Sequence, residues 1–395
     1  MKKILLGGTA LAVAAMASVP ASAALEVKIS GFVAFQAALV LDTTGTDGDR
    51  DRDYDFGSGA RLQFDIKNVT DSGLEYGARI RMNNVNRRQG VTVDRTYVYV
   101  KGGFGTIVLG DAPGTGADFG YVFAHDSVVS GMGFAGGYGD NIDGRYDYGG
   151  GDFFSLDPTY HSGLGNDTKI KYASPTFGGF SFGIDFTPVV GGSSHSGPGG
   201  TNDLTNDGNT LFENVVTGAA NYTGDFDGLS LIVSGTATYG NGVGTHGGGL
   251  GTGHFDLETY TLGAQVGSGG ITGSVNWVNT SKGFGGGATD KAFNTVVGSL
   301  AYQWNQFAFG LGYAYTWAEK NNDLAGSIAG SGFDLKDNHI VSGTVAYNIA
   351  PGLNTWAEVT WERQNFRKDT VGGVTVDQKN SEDNTILMTG LQVSF

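Results

Sequence analysis

From Gly59 the chain exchanges polar and apolar residues one for one. Arg61, Gln63, Asp65 and Lys67 share one parity, and Leu62, Phe64 and Ile66 share the other. After Thr70-Asp71-Ser72-Gly73 the exchange resumes, with Glu75, Gly77, Arg79 and Arg81 on one side and Tyr76, Ala78, Ile80 and Met82 on the other. A period of two marks a β-strand with one wet face and one apolar face. Carried along the chain, the rule predicts sixteen strands, at residues 26–41, 57–68, 74–84, 91–101, 104–111, 166–174, 179–188, 213–223, 228–239, 254–266, 270–280, 292–303, 306–318, 338–349, 353–366 and 384–395. Most are near the ~9–11 residues that cross a bilayer as a tilted strand. Helical periodicity is essentially absent from them.

The links between these segments also alternate. Short turns are predicted at Thr70–Gly73, Gly102–Gly103, Pro175–Gly178, Gly224–Asp227, Gly267–Gly269, Trp304–Asn305 and Ala350–Gly352, and between them lie long polar links such as 42–56, 112–165, 189–212 and 367–383. Short turns at one end and long loops at the other belong to up-and-down membrane barrels, whereas the Greek-key connections of a soluble sandwich give no reason for the rule. The apolar parity separates the two folds again. Phe180, Phe182, Ile184 and Phe186 share a face, as do Phe307, Phe309, Leu311, Tyr313, Tyr315 and Trp317, while Ala308, Gly310, Gly312, Ala314 and Thr316 form the other face of the latter segment. Large residues on one face and small, weakly polar ones on the other suit lipid outside and water inside. The predicted fold is therefore all-β: a 16-stranded antiparallel up-and-down transmembrane β-barrel. Closure is obligatory, because hydrocarbon offers no partner to the N–H and C=O groups of an open sheet edge.

Composition narrows the function. Among 395 residues there are 69 Gly and no Cys, and the formal charge is −15. Without Cys there are no disulfide scaffolds, thiolate metal sites or cysteine nucleophiles. The acidic balance argues against nucleic acid as a partner, since phosphate recognition needs a basic face. Lys2 and Lys3 precede an apolar run from Ile4 to about Val19, closed by Pro20-Ala21-Ser22-Ala23. That order is a secretory signal peptide, expected at 1–23, with the barrel at 24–395.

Several stretches resemble a known family. Glu26-Val-Lys-Ile-Ser-Gly31, Ala60-Arg-Leu-Gln-Phe64, Thr70-Asp-Ser-Gly-Leu-Glu-Tyr-Gly77 and Lys171-Tyr-Ala-Ser-Pro-Thr-Phe-Gly-Gly-Phe180 are similar to alphaproteobacterial general diffusion porins of the Rhodobacter type. Arg95 to Asp111 resembles the stretch leading into their third loop, and the terminal Phe395 resembles the C-terminal aromatic of outer-membrane barrels. The resemblance implies a homotrimer in the Gram-negative outer membrane, bounded by its lipid. It also implies passive diffusion of ions and small hydrophilic solutes, and a long third loop, here 112–165, folded inward as a constriction. Porins of this family set a basic wall across from acidic groups on that loop. Arg61 and Arg95 match the wall positions, and Arg79 and Arg81 join them by parity alone; Asp118, Asp126, Asp140 and Asp143 are the loop candidates. Opposed charges across a narrow, low-dielectric aperture create a transverse field, and unequal charge rings bias ion flow.

Two other functions compete. A solute-specific channel, for sugars for example, would need aromatics along the lumen, and Tyr97 and Tyr99 share the parity of Arg95. An adhesin-like barrel would use its Gly-rich loops and keep a plugged lumen. An enzyme is not expected, because the chain holds no H-E-x-x-H and no G-x-S-x-G. Gly131-Met-Gly-Phe-Ala-Gly136 lacks the βαβ unit that would make it a nucleotide site. Asp47, Asp49 and Asp51 alternate as in a calcium loop but lack its Gly at six and Glu at twelve. No cofactor is expected, and structural calcium at these aspartates is the one weak candidate.

Overall fold

The computed structural model describes residues 25–43, 54–86, 90–119, 122, 124, 166–190, 212–243, 256–282, 292–319, 334–367, 370–371, 374–375 and 381–395. The expected signal peptide and Asp47, Asp49 and Asp51 lie outside the described residues, as does Gly131–Gly136. The strands are β1 (Glu26–Thr43), β2 (Tyr54–Val69), β3 (Glu75–Asn86), β4 (Gly90–Gly102), β5 (Gly105–Asp111), β6 (Thr168–Ala173), β7 (Phe180–Val190), β8 (Phe212–Phe226) and β9 (Leu229–Gly242). They continue with β10 (Leu257–Ser268), β11 (Ile271–Lys282), β12 (Phe293–Trp304), β13 (Phe307–Ala318), β14 (Asp334–Ala350) and β15 (Leu353–Arg367). A small hairpin, β16 (Thr370–Val371) with β17 (Val374–Thr375), precedes the last strand, β18 (Ser381–Ser394). One five-residue helix among the described residues, α1 (Thr115–Phe119), follows β5.

Sixteen of these strands form one closed barrel in which each pairs antiparallel with its neighbours in the chain, the hairpin standing apart. The seam joins β1 to β18: Phe32 lies opposite Ser394, and Gly31 and Phe395 exchange backbone hydrogen bonds of 2.9 and 3.0 Å. The terminal aromatic thus belongs to the ladder that closes the barrel. No backbone edge remains to face lipid, as the physics of hydrocarbon requires.

All sixteen predicted strands are present, most of them one to four residues longer than the alternation suggested. The turns shift accordingly. β8 continues through Phe226, so that the turn is Asp227-Gly228 rather than Gly224–Asp227, with φ of 53° and 85°. Between β10 and β11 the turn is Gly269-Gly270, with φ of 58° and 84°. Two positive-φ residues give the two-residue turn whose twist matches the flanking strands, which is why Asp-Gly and Gly-Gly sit there.

The two faces are inverted relative to a soluble protein. On β7, Phe180, Phe182, Ile184 and Phe186 are exposed, while Gly183, Asp185 and Thr187 between them are buried. Outer aromatics gather at both ends of β13. Trp304, Phe307 and Tyr347 cluster beside the short turn, and Tyr315 and Trp317 stack at 5.3 Å beside the long link. That is the arrangement of interfacial aromatic girdles. The inner wall is hydroxyl-rich from β8 to β13. Thr217–Thr238, Thr236–Thr261, Ser274–Ser299 and Thr295–Thr316 pair across strands at 2.6–3.1 Å.

Candidate functional site

Two charged assemblies line the inside. The first occupies β2, β3 and β4. In the antiparallel register Asp65 faces Arg79, Gln63 faces Arg81, and Arg79 faces Tyr97. Arg81 faces Arg95, two like charges directly across a ladder, which is destabilising unless something compensates. The compensation comes from a bulge. The pairing steps from Arg81/Arg95 to Met82/Val93, so Asp94 has no opposite residue of its own. Asp94 accepts from Arg81 through both carboxylate oxygens, the Nε bond measuring 2.8 Å, and from Asn83 Nδ2 at 2.8 Å. A bulge brings two successive side chains toward one face, and here it sets Asp94 and Arg95 side by side.

The other arginines are held as firmly. Arg61 Nε donates to Asn83 Oδ1 at 2.7 Å, and its guanidinium lies 5.2 Å from the Phe32 ring centroid. Arg79 Nε donates to Asp65 at 2.5 Å, and Gln63 donates to the other oxygen of that carboxylate. The Arg79 guanidinium sits 5.8 Å from the centroid of Tyr97, close enough for a cation–π contact. Arg95 Nε is buried and has no hydrogen-bond partner. Among the described contacts of these arginines, Arg79 pairs with Asp65 and Arg81 with Asp94. Lys67 pairs with Glu75 at 3.0 Å nearer the short-turn end.

The second assembly joins the start of the third link to β6, β7 and β11. Lys169 Nζ donates to the carbonyls of Ala112 and Asp167, each at 2.6 Å. Lys171 Nζ reaches Pro113 O at 2.9 Å and Asp118 Oδ2 at 2.5 Å. Asp185 accepts from the Thr115 backbone N–H at 2.5 Å. Asn276 donates to Val122 O and accepts from its N–H, and Ser274 accepts from the Ala124 N–H at 2.9 Å. All these wall residues lie on the inner parity, so residues 112–124, where described, run along the inside of the barrel.

The four predicted arginines are therefore brought together on three adjacent strands. Of the loop aspartates, Asp118 is paired with Lys171 across from β6 and touches no arginine among the described contacts; Asp126, Asp140 and Asp143 lie outside the described residues. Tyr97 and Tyr99 do lie on the inner face, but Tyr97 is covered by Arg79 and Tyr99 donates to Glu75 at 3.3 Å. Asp94, Lys169, Lys171 and Asp185 were not among the predicted site residues. Parity marks the last three, since each alternates with Ile170, Tyr172, Ile184 or Phe186. Asp94 is hidden by the bulge. Among the described residues no group of three or more His, Asp or Glu could hold a metal ion.

A family model described as Gram-negative porin matches residues 10–377. The chain belongs to the Gram-negative porins. It is similar in structure to an anion-selective porin from Comamonas acidovorans, at 18% identity and a TM-score of 0.58, covering 94% of this chain and 100% of that one. Salmonella typhi OmpF, solved with daunomycin, aligns at 14% identity and a TM-score of 0.59, covering 94% and 98%. In-vitro folded OmpT of Vibrio cholerae, described in a trimer form, aligns at 14% and 0.59, covering 94% and 100%. At such identities the structural likeness shows the fold alone; the family comes from the sequence model. A search of the curated proteins gave no significant match. Family and barrel together make this porin an outer-membrane channel for ions and small hydrophilic solutes, and they point to a channel rather than an enzyme.

Proposed function

We propose that the porin is a general diffusion channel that screens solutes at the arginine wall of β2–β4. The observation that carries this reading is the Arg81–Arg95 pair. Like charges directly opposite each other contribute nothing to packing, and one Nε is left buried without a partner. A barrel selected for stability alone would place threonines there, as β8 to β13 do. Fixed guanidiniums keep their charge at every working pH and orient water and dipolar solutes across the lumen.

The partners on this reading are ions, small hydrophilic solutes, outer-membrane lipid and two further copies of the chain. The trimer is supported by the family resemblance and by the trimer form of the Vibrio OmpT neighbour. Export through a signal peptide at 1–23 is supported by the Lys-apolar-Ala order of that segment. In the reading proposed, acidic groups of the 112–165 link complete the aperture opposite the arginines.

Planar-bilayer recording in a salt gradient, followed by titration with sugars and amino acids, tests the proposal. Large steps in threes that no solute blocks support a trimeric diffusion pore, and the reversal potential gives its ion preference. Block by one solute at low concentration would make it a specific channel. Silence from a verified folded barrel would overturn both.

A further inference from the structure

The second assembly does something that the barrel itself does not need. Asp185 is 1% exposed, yet one of its carboxylate oxygens has no hydrogen-bond partner. Burying a carboxylate with incomplete hydrogen bonding is unfavourable, and the neighbouring inner position on the same strand is filled by Thr187. Lys169, 2% exposed, and Lys171, 5% exposed, are likewise spent on link carbonyls and on Asp118. The wall is also cut to shape beneath the helix. A Cβ on Gly183 would fall 2.7 Å from Thr115 Cγ2 and 2.8 Å from Phe119 Cε2. Charge, hydrogen bonding and a missing side chain thus converge on one object, the segment Ala112–Phe119.

We propose that Lys171 and Asp185 are positioning residues that press this segment flat against β6 and β7 and thereby keep it out of the solute path. The inference rests on the channel reading, and it changes the role of Asp118. That carboxylate serves as the link's half of a latch, so its charge is neutralised at the wall instead of acting freely on passing ions. Asp185 receives the first-turn N–H of α1, and Lys171 holds the helix's far end through Asp118.

Single-channel recording of the full-length porin with Lys171→Met, Asp118→Ala, the double variant and Lys171→Arg separates position from charge. The two single substitutions change the lumen charge in opposite directions but break the same contact. A latch predicts that both lower the mean conductance, by about 1.5-fold, and raise open-channel noise. The double variant should match either single one, and Lys171→Arg should stay close to wild type. Asp185→Ala should reproduce the loss, and Asp185→Asn, which keeps an acceptor for the Thr115 N–H, should largely rescue it. Opposite shifts of reversal potential with unchanged conductance would overturn the latch and make these residues ordinary lumen charges. If Lys171→Met does not fold, Asp118→Ala alone decides, because Asp118 is on the link and its side chain is 43% exposed. Silence of the wild-type protein would instead count against the channel reading, so the two failures are distinguishable.

Discussion

The walls of β2–β4 and of β8–β13 are built from the same alternating strands, yet they treat polarity differently. On β8–β13 hydroxyls pair with neighbours on the adjacent strand, as Thr236 does with Thr261 at 2.6 Å, Ser234 Oγ being a buried exception, and the face is nearly free of charge. On β2–β4 four guanidiniums gather around Asp65 and Asp94 among the described residues, and order depends on the bulge that delivers Asp94. One wall is satisfied mainly by local pairs. The other is a strained network whose members depend on one another. On the proposed reading, the difference marks where passage of solutes outweighed stability.

The sharpest way to break the comparison is to remove the compensating carboxylate. Asp94→Ala leaves Arg81 and Arg95 opposed, and the Arg81–Asp94 pair is largely buried, at 7% and 16% side-chain exposure. Losing one partner of such a pair costs about 3 kcal/mol. Denaturant unfolding in detergent micelles should show that loss, and the surviving channels should shift toward anions. A stability equal to wild type would mean that the arginines have other partners and that the network is not strained.

Replacing both Arg61 and Arg95 by Gln tests the same wall through function. The barrel should remain folded, because Asp94 keeps Arg81 and Asn83 as donors and Asn83 thereby keeps an acceptor. The cation-to-anion permeability ratio should rise on the order of fivefold, as removal of fixed charge from a narrow pore predicts. An unchanged reversal potential in a salt gradient would place both residues away from the aperture.

Much of this was legible beforehand, for a physical reason. A strand that separates lipid from water must alternate, so the pattern alone locates all sixteen strands and puts Arg61, Arg79, Arg81 and Arg95 on the inner face. Legibility fails where alternation fails. Asp94 sits on the lipid parity of an unbroken β4, and only the extra residue of the bulge turns it inward. The turns at Asp227-Gly228 and Gly269-Gly270 were placed too early, because glycines at 224 and 267 look like breaks but continue their strands. Lys169, Lys171 and Asp185 were visible by parity, but their role depends on a link whose contacts span tens of residues of sequence. Nothing in a local pattern connects Asp118 to Lys171, or Val122 to Asn276.

The hydroxyl wall should respond least. Thr236→Val removes one side of the Thr236–Thr261 bond while keeping the branched shape that suits a strand, and it leaves the Thr261 hydroxyl buried at 4% exposure. The expected loss is about 1 kcal/mol, at the lower end of the cost of an unsatisfied buried hydroxyl. Replacing Thr261 by Val as well removes the orphan and should recover part of that stability, since deleting both partners of a hydrogen bond can be nearly neutral. Neither variant should move the reversal potential. A selectivity shift from Thr236→Val would mean that this wall also faces the ions closely, and the division between a structural wall and a screening wall would fail.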